Sequence, residues 1–325
     1  MKQFRFIDLF SGVGGFHLAA QMNGGECVFA SEIDGEASKV YAHNFGIKPS
    51  GDITKISADE IPDHEMLCAG FPCQPFSIIG NRMGFDDIRG TLFFEIDRIL
   101  QVKKPPLLVL ENVKQLATHD GKRTIGRILE RLEILGYKTS WKVLNALDYG
   151  LPQKRERTII VGFLNHQAEF NWPEKIPDYA PLKSILETVV DTKYYASEMI
   201  RRKRKKAHKS KHEVSIWHEN KGGNISSHPY SCALRASASY NYLLVNGERR
   251  LTPREMFRLQ GFPDSFEIIA SDVQARKQAG NALPVPMLKL VIQEVLNAQA
   301  KATKFQKKQG SRNSTSRRVS KANYL

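Results

Sequence analysis

The chain has 325 residues, enough for a large domain and a smaller one, and 41% of them are hydrophobic. No run of about 18 apolar residues predicts a membrane-spanning helix. The first residues lead directly into a predicted strand, so we expect no signal peptide. The four cysteines show no CxxC and no paired spacing, so we expect no structural disulfide and no metal site. These features indicate a cytoplasmic protein.

The net charge of +14 is concentrated in two segments. Residues 201–212 and 301–325 each hold eight Lys or Arg and no acidic residue. Outside them, 32 of the 48 basic residues face 34 acidic ones, so the rest of the chain is almost neutral. Such cationic blocks commonly contact nucleic acid, and the alternative is a solvated segment without a partner.

The first predicted element is an apolar strand over residues 5–10. The glycine turn Ser11-Gly12-Val13-Gly14-Gly15 follows, and then a helical pattern over 16–22. A strand, a glycine turn and a helix in this order are typical of the start of a nucleotide-binding α/β unit. Because position 17 is His instead of the third glycine of a dinucleotide fingerprint, NAD fits poorly.

The next strands also end at polar or reactive residues. A strand over 26–31 ends at Glu32, whose carboxylate can accept hydrogen bonds from ribose hydroxyls. After a helix over 36–45, Asp52 occupies a turn. A short strand over 66–69 leads into the segment 70–77, where prolines on both sides stiffen the backbone around Cys73. A thiol there can act as a nucleophile, although free cysteines are more often buried as small apolar groups.

The pattern of strands and helices then continues. A helix over 91–100, a strand over 107–110 ending at Glu111, a helix over 124–135 and β-like runs over 142–147 and 158–163 follow in order. This alternation predicts a twisted, mostly parallel sheet. Five residues should then meet at one edge of the sheet because each follows a strand end: Phe10, Glu32, Asp52, Cys73 and Glu111.

The second half of the chain predicts a smaller, loop-rich domain. We expect a catalytic and cofactor-binding domain over 1–170, the small domain over 171–264 with the basic stretch 201–212, a return to the large domain over 265–300, and a disordered basic tail over 301–325. Thr252 and Glu255 have the spacing of a capping box and predict a helix start. A final helix is expected over about 286–300.

Taken together, these features resemble the DNA (cytosine-5) methyltransferases of bacterial restriction-modification systems, over nearly the whole chain to about residue 300. Nine motifs in the family's order carry the resemblance: 6–16, Glu32, Asp52, 70–77, 87–95, 111–113, 153–157, 250–263 and 278–284. The resemblance implies a Rossmann-like α/β sheet that uses S-adenosylmethionine, together with a second, smaller target-recognition domain. It implies a cofactor site made of Phe10, Gly12, Val13, Gly14, Glu32, Ile33, Asp52, Ile53, Pro72, Leu92 and Asn281.

The same resemblance implies four catalytic residues. Cys73 would attack C6 of cytosine as a thiolate, and a protonated Glu111 would hydrogen-bond to N3. Arg155 and Arg157 would help to favour the thiolate. From the residues alone, Glu111 could instead cap a structural element, the two arginines could form surface ion pairs around Glu156, and Asp52 could be a plain turn residue.

A cytosine within a duplex is inaccessible, so the resemblance also implies that the base is flipped out of the helix. Ser77, Ile79 and Asn224 are the candidate DNA-contacting residues, with Asn224 filling the space that the base leaves. A plain turn asparagine is the alternative for Asn224.

The leading hypothesis is therefore a site-specific DNA cytosine-5 methyltransferase that protects host DNA. The alternatives are a tRNA cytosine-5 methyltransferase and a catalytically inactive DNA-binding homologue. We expect double-stranded DNA as the partner and a monomer without metal or membrane. A cognate restriction endonuclease would be encoded nearby, without direct contact, and the protein would act at the nucleoid in the bacterial cytoplasm.

Overall fold

The central sheet has six strands in the part of the chain that the structure describes, residues 3–72 and 92–321 of a computed structural model. In chain order the first seven strands are β1 (Phe4–Leu9), β2 (Gly25–Ser31), β3 (Met66–Gly70), β4 (Leu107–Val113), β5 (Lys138–Asn145), β6 (Gln153–Lys154) and β7 (Glu156–Phe163). All of them except the short β6 belong to this sheet. The order across the sheet is β2-β1-β3-β4-β7-β5. The first four of these run parallel, and β7 is antiparallel to both of its neighbours. The predicted mostly parallel sheet is confirmed.

The described part of the chain has eight α-helices. They are α1 (Gly15–Gln21), α2 (Gly35–Phe45), α3 (Leu92–Lys103), α4 (Arg123–Ile134), α5 (Glu198–Ala207), α6 (Pro253–Leu259), α7 (Asp272–Asn281) and α8 (Val285–Lys321). Met66 and Cys68 of β3 belong to the core under α1, α2 and α8, whereas Leu67 and Ala69 belong to the core under α3 and α4. The strands read as continuous apolar runs because both faces are buried. None of the described helices is long and apolar enough to cross a membrane.

A small antiparallel sheet lies in the second half of the chain, in the order β11-β8-β9. Its strands are β8 (Ile216–Glu219), β9 (Ile225–His228) and β11 (Leu243–Val245), and the short β10 (Ser231–Cys232) pairs with β6 instead. Helix α5 is anchored by Arg204, which is buried and donates hydrogen bonds to Glu219 Oε2 at 2.7 Å and to the carbonyl of Asn241. The sequence analysis had not predicted this helix, because its apolar content is too low to give a helical stripe.

The predicted helix start at Thr252 is confirmed. The Thr252 hydroxyl accepts a hydrogen bond from the N–H of Glu255, and the Glu255 carboxylate accepts one from the N–H of Thr252. The same carboxylate binds both terminal nitrogens of Arg249 at 2.8 Å. The local signal was reliable here because a capping box depends only on residues three apart.

Helix α8 differs from the prediction. The sequence predicts that it ends near residue 300 and that a disordered tail follows, whereas in the structure the helix continues to Lys321. Ala298 and Ala302 are still buried against the large domain, so packing extends the helix past the predicted end. Strand β5 also starts earlier than predicted, at Lys138. It is an edge strand with mostly exposed or half-buried side chains, so its sequence lacks an apolar run.

Candidate functional site

A cavity of about 580 Å³ opens at the carboxyl ends of β1 to β4. This edge is where open α/β sheets bind ligands. Twelve of the residues predicted for cofactor binding or catalysis line it: Phe10, Gly12, Val13, Glu32, Ile33, Asp52, Ile53, Pro72, Leu92, Glu111, Arg157 and Asn281. The expected convergence of strand ends therefore occurs for Phe10, Glu32 and Glu111, whereas Asp52 reaches the cavity from the turn after α2. Cys73, Ser77 and Ile79 lie outside the described residues, and the description of the loop ends at Pro72.

The loop after β1 is held against the end of β2 by a carboxylate. Glu32 accepts hydrogen bonds from the N–H of Gly12 at 2.7 Å and from the N–H of Asp34 at 2.8 Å. Gly12 has a φ of +55°, and no atom lies within 4 Å of where its Cβ would be. The loop therefore offers open space at Gly12, and each Glu32 oxygen keeps a lone pair for a further donor.

Gly14 is not part of the cavity wall. It has a φ of +91°, and a Cβ at this position would lie 2.1 Å from Cε2 of Phe45. His17, behind the same loop, stacks on Phe45 with ring centroids 3.9 Å apart and pairs with the Tyr41 hydroxyl at 2.7 Å. Burial lowers the pKa of His17 to about 4, so it is a neutral core residue. The close approach of Phe45 thus explains why position 14 is glycine, and the assignment of Gly14 to the cofactor site stays a prediction.

Asp52 is both a turn residue and part of the cavity wall, the two possibilities that the sequence left open. Its Oδ1 accepts hydrogen bonds from the N–H of Thr54 at 3.1 Å and from the Thr54 hydroxyl at 2.8 Å, which caps the turn Ile53–Lys55. Hydrogen bonds from Thr54 lower the pKa of Asp52. The residue is thus a turn cap that also lines the cavity.

Several polar groups in the wall have no partner among the described residues. The hydroxyls of Ser11 and Ser31 and both amide atoms of Gln278 are buried without a hydrogen bond. Buried polar groups normally have partners, so a polar ligand would satisfy them. Ile33 lines the same cavity and is 76% exposed, which suits a flat apolar group such as an aromatic base. The wall therefore fits a nucleoside with polar substituents.

A buried ion pair lies at the other end of the cavity. Glu111, at the end of β4, is 5% exposed, and its Oε1 lies 2.7 Å from Nε of Arg157. Burial raises the pKa of Glu111, while the charges of Arg157 and Arg155 act in the opposite direction. Glu111 is thus a buried carboxyl with an elevated pKa in a cavity, which is typical of a general acid. The alternative of a capping carboxylate is not what the structure has at this position.

Main-chain carbonyls bind Arg155. Its guanidinium is buried and donates to the carbonyl of Leu234 at 2.9 Å, of Gly280 at 3.0 Å and of Ala282 at 2.7 Å. It does not line the cavity. Arg155 therefore joins the C-terminal end of α7 to the segment after β10, and its charge acts on Glu111. Its predicted part in favouring the Cys73 thiolate stays a prediction, because Cys73 lies outside the described residues. The predicted alternative of a surface ion pair is wrong for this residue.

Two residues of the site had no predicted role. Asn112 is buried, and its Nδ2 donates to the carbonyl of Phe71 at 2.9 Å, which anchors the backbone just before Pro72. Lys277 lines the cavity from α7 and binds Asp34 Oδ2 at 2.7 Å across its rim. Both lie inside or next to predicted motifs, but only the folded chain identifies their partners.

Asn224 is exposed at the tip of the hairpin that joins β8 and β9. The side chain that closes this turn is that of Asn220, whose Oδ1 accepts hydrogen bonds from the N–H groups of Gly222 at 2.9 Å and Asn224 at 3.0 Å. The turn thus depends on Asn220, and no described residue hydrogen-bonds to the Asn224 side chain. Within the described part of the chain, no group of His, Cys, Asp or Glu side chains could hold a metal ion.

A mostly parallel α/β sheet with a cavity at its carboxyl edge and a buried Glu–Arg pair is an arrangement that suits an enzyme with a nucleoside-like ligand. Residues 4–297 match the family model of the C-5 cytosine-specific DNA methylases, so the chain belongs to this family. It is a DNA (cytosine-5) methyltransferase, and the family implies S-adenosylmethionine as the methyl donor.

The relatives agree with this assignment. The chain is 55% identical to the Type II methyltransferase M.NgoBI of Neisseria gonorrhoeae, over 88% of this chain and 90% of that one. It is 52% identical to M.HaeII of Haemophilus aegyptius, over 94% and 96% of the two chains. It is 41% identical to M.HhaI of Haemophilus parahaemolyticus, over 88% and 92%. The predicted resemblance is confirmed.

Solved structures share the fold. The Dnmt2 methyltransferase of S. pombe superposes with a TM-score of 0.69 at 22% identity, over 90% of this chain and 98% of that one. A mutant of Spodoptera frugiperda DNMT2 gives a TM-score of 0.72 at 20% identity, over 90% and 99%. These likenesses support the Rossmann-like methyltransferase fold.

Proposed function

We propose that this protein methylates C5 of a flipped-out cytosine at a specific site in duplex DNA, through a covalent bond between Cys73 and C6. The observation that carries the proposal is the buried Glu111, with its raised pKa, beside Arg157 in the same cavity as the nucleoside-binding wall. We further propose that it protects host DNA as the methyltransferase of a Type II restriction-modification system, as its relatives' names suggest.

Cys73 is the proposed nucleophile. Burial raises the pKa of each described cysteine thiol, that of Cys27 to about 12 and those of Cys68 and Cys232 above their usual values, so these thiols are inert. The Asn112 side chain fixes the Phe71 carbonyl two residues before Cys73. A fixed loop start would orient the thiolate for attack on C6, which breaks the C5–C6 double bond and moves its electron pair toward C5.

Glu111 would complete this step as the proton donor. A protonated carboxyl at N3 neutralises the charge that nucleophilic attack pushes into the pyrimidine ring. Arg157, next to it, would hydrogen-bond to the base and hold Glu111 in place. S-adenosylmethionine, when bound, supplies an electrophilic methyl group for C5. A base that this chain's described residues do not identify then removes the C5 proton. The thiolate leaves C6 as the double bond reforms, and N3 returns its proton to Glu111.

The opposite wall would hold the cofactor. Glu32 can accept hydrogen bonds from ribose hydroxyls, Ile33 can pack on adenine, and Asp52 can accept from the exocyclic amine. The unpartnered hydroxyl of Ser11 and amide of Gln278 provide further polar contacts. Phe10, Gly12, Val13, Ile53, Pro72, Leu92 and Asn281 would complete the pocket.

Contacts with DNA would come from the second half of the chain, which we propose as a target-recognition domain over residues 171–264. Asn224, exposed at a hairpin tip, would fill the space left by the cytosine and pair with the orphaned guanine. Lys203 and Lys206 of α5 are exposed, and His208 at its C-terminal end pairs with Ser227 of β9, beside that hairpin. We propose that α5 and the segment 301–325 contact phosphates. We also propose that the protein acts as a monomer in the cytoplasm and does not contact its cognate endonuclease.

A trapping experiment tests the proposal. Duplex DNA with 5-fluorocytosine at the target should give a covalent adduct with the wild-type chain on denaturing gels, because fluorine cannot leave as a proton. Cys73→Ser should give no adduct and no methylation, yet retain S-adenosylmethionine binding. Transfer of labelled methyl groups to tRNA but not to duplex DNA would favour the tRNA alternative. Binding of DNA without any transfer would favour the inactive homologue.

A further inference from the structure

Three arginines stack on tyrosine rings near the cavity, but only one presents an open guanidinium. Arg250 and Arg276 both lie 4.7 Å from the ring of Tyr240, and both donate hydrogen bonds to main-chain carbonyls. Arg235 lies 4.8 Å from the ring of Tyr242 and is exposed. None of the described residues accepts a hydrogen bond from its guanidinium. Its five N–H donors are therefore available to a ligand.

Hydrogen bonds fix the backbone around Arg235 to residues that lie next to the catalytic site. The N–H of Arg235 donates to the Tyr242 hydroxyl at 3.0 Å, and the carbonyl of Leu234 accepts from the buried Arg155 at 2.9 Å. The N–H of Leu234 donates to Oε1 of Gln153 at 3.0 Å. These bonds fix the backbone of Leu234 and Arg235 next to β6 and next to the start of β7, the strand that carries Arg157.

The same segment touches the cavity wall. A Cβ at Gly280, which lines the cavity, would lie 2.7 Å from the carbonyl carbon of Arg235 and 2.4 Å from the N of Ala236. Only glycine allows this close approach of the two backbones. The main chain at Arg235 thus packs against the cavity wall at Gly280, while its exposed side chain lines an adjacent pocket. A duplex seated over the cavity would bring neighbouring base pairs toward this side chain.

We propose that Arg235 determines part of the sequence specificity by donating two hydrogen bonds to N7 and O6 of a guanine in the recognised site. This inference depends on the proposed function, because it assumes a duplex seated over the cavity. A guanidinium is a planar fork that matches the guanine edge in the major groove. The Tyr242 ring holds the plane of the fork before DNA binds, which lowers the entropy lost on binding.

A base contact agrees with the geometry better than a phosphate contact. Neutralising a phosphate requires charge but little exact placement, and the exposed lysines of α5 can supply it on flexible side chains. Arg235 instead has its own N–H bound to the Tyr242 hydroxyl, the main chain of the preceding Leu234 bound to Gln153 and Arg155, and its side chain over a tyrosine ring. A guanidinium that recognises one base by two hydrogen bonds requires such a fixed position.

Bisulfite mapping of a randomised duplex pool tests the inference. The full chain with S-adenosylmethionine should reveal a recognised site that contains guanine. Arg235→Ala should lose the preference for guanine at one position and methylate the original site roughly tenfold to a hundredfold more slowly. Replacing that guanine by 7-deazaguanine should slow the wild type but have little further effect on Arg235→Ala.

Arg276→Lys is the matched control, because this arginine is also stacked on a tyrosine but its guanidinium is bound to carbonyls. It should retain the wild-type preference at every position. If Arg235→Ala slows all sequences equally and keeps the guanine preference, Arg235 is a phosphate contact and the inference is wrong. A recognised site without guanine also overturns it while leaving the proposed function intact. A wild-type chain that methylates no duplex contradicts the proposed function itself.

Discussion

At one end of the cavity the Glu32 carboxylate accepts hydrogen bonds from two backbone N–H groups, whereas at the other end Glu111 is buried against Arg157. We call these the Glu32 end and the Glu111 end. The Glu32 end is built from loops and is partly open to solvent, and Asp34 and Lys277 form an ion pair across its rim. At the Glu111 end the carboxyl itself is buried, and burial raises its pKa.

The difference shows how one fold separates binding from chemistry. Two main-chain N–H groups orient the Glu32 carboxylate as an acceptor for hydroxyl donors. Burial at the Glu111 end favours the neutral carboxyl, which can donate a proton or a hydrogen bond. Changes at the first end should therefore alter cofactor affinity, and changes at the second should alter the rate of methyl transfer.

The largest effect is expected for Glu111→Gln. The amide cannot give a proton to the base, so kcat should fall by roughly a hundredfold to ten-thousandfold, the usual contribution of a general acid. Single-turnover methylation of duplex DNA measures the rate, and calorimetric titration measures S-adenosylmethionine binding. An equal loss of cofactor affinity would show that the two ends are not separate.

Glu32→Gln should have a smaller effect, and it should weaken cofactor binding instead of lowering kcat. Replacing a charged acceptor by a neutral one should weaken S-adenosylmethionine binding by roughly tenfold, because hydrogen bonds to charged groups are the stronger ones. At saturating cofactor, kcat should stay close to the wild-type value. A kcat that remains low at saturation would mean that Glu32 takes part in the chemistry.

Arg157→Gln should shift the pH dependence. The Arg157 charge lowers the pKa of Glu111, so its removal should raise that pKa further. The protonated carboxyl is lost as pH rises through its pKa, so the alkaline limb of the kcat profile should move to higher pH. The profile is measured at saturating DNA and cofactor, from neutral to alkaline pH. If the alkaline limb moves to lower pH instead, a group other than Glu111 is responsible for it.

Lys277→Met should have the smallest effect. The Lys277–Asp34 pair is half exposed, with side chains 49% and 30% accessible, and such pairs contribute about 0.2–1 kcal/mol. Its loss should speed S-adenosylmethionine dissociation by at most about fivefold in stopped-flow chases. Lys39→Met, which removes the exposed pair with Glu36 on α2, is the control and should leave dissociation unchanged. Equal effects of both changes would indicate a general loss of charge.

Residue type and spacing alone placed much of this site. The apolar strand before Gly12, the carboxylate after β2 and the apolar strand before Glu111 are all local signals. In a parallel sheet such strand ends meet at one edge, which brought Glu32 and Glu111 together as predicted. Asp52 reaches the same cavity from the turn after α2 and not from a strand end. The capping box at Thr252 was predictable for the same reason, because its partners are three residues apart.

Only the tertiary structure decided between Arg155 and Arg157. The two arginines are two residues apart and the sequence predicted one role for both, yet one binds three carbonyls and the other binds Glu111. The partners of Arg155 are 79 to 127 residues away along the chain. The pKa of Glu111 and the extension of α8 likewise depend on burial by distant elements. Local patterns specify strands, turns and caps, whereas packing between remote segments determines which side chains are buried and what they bind.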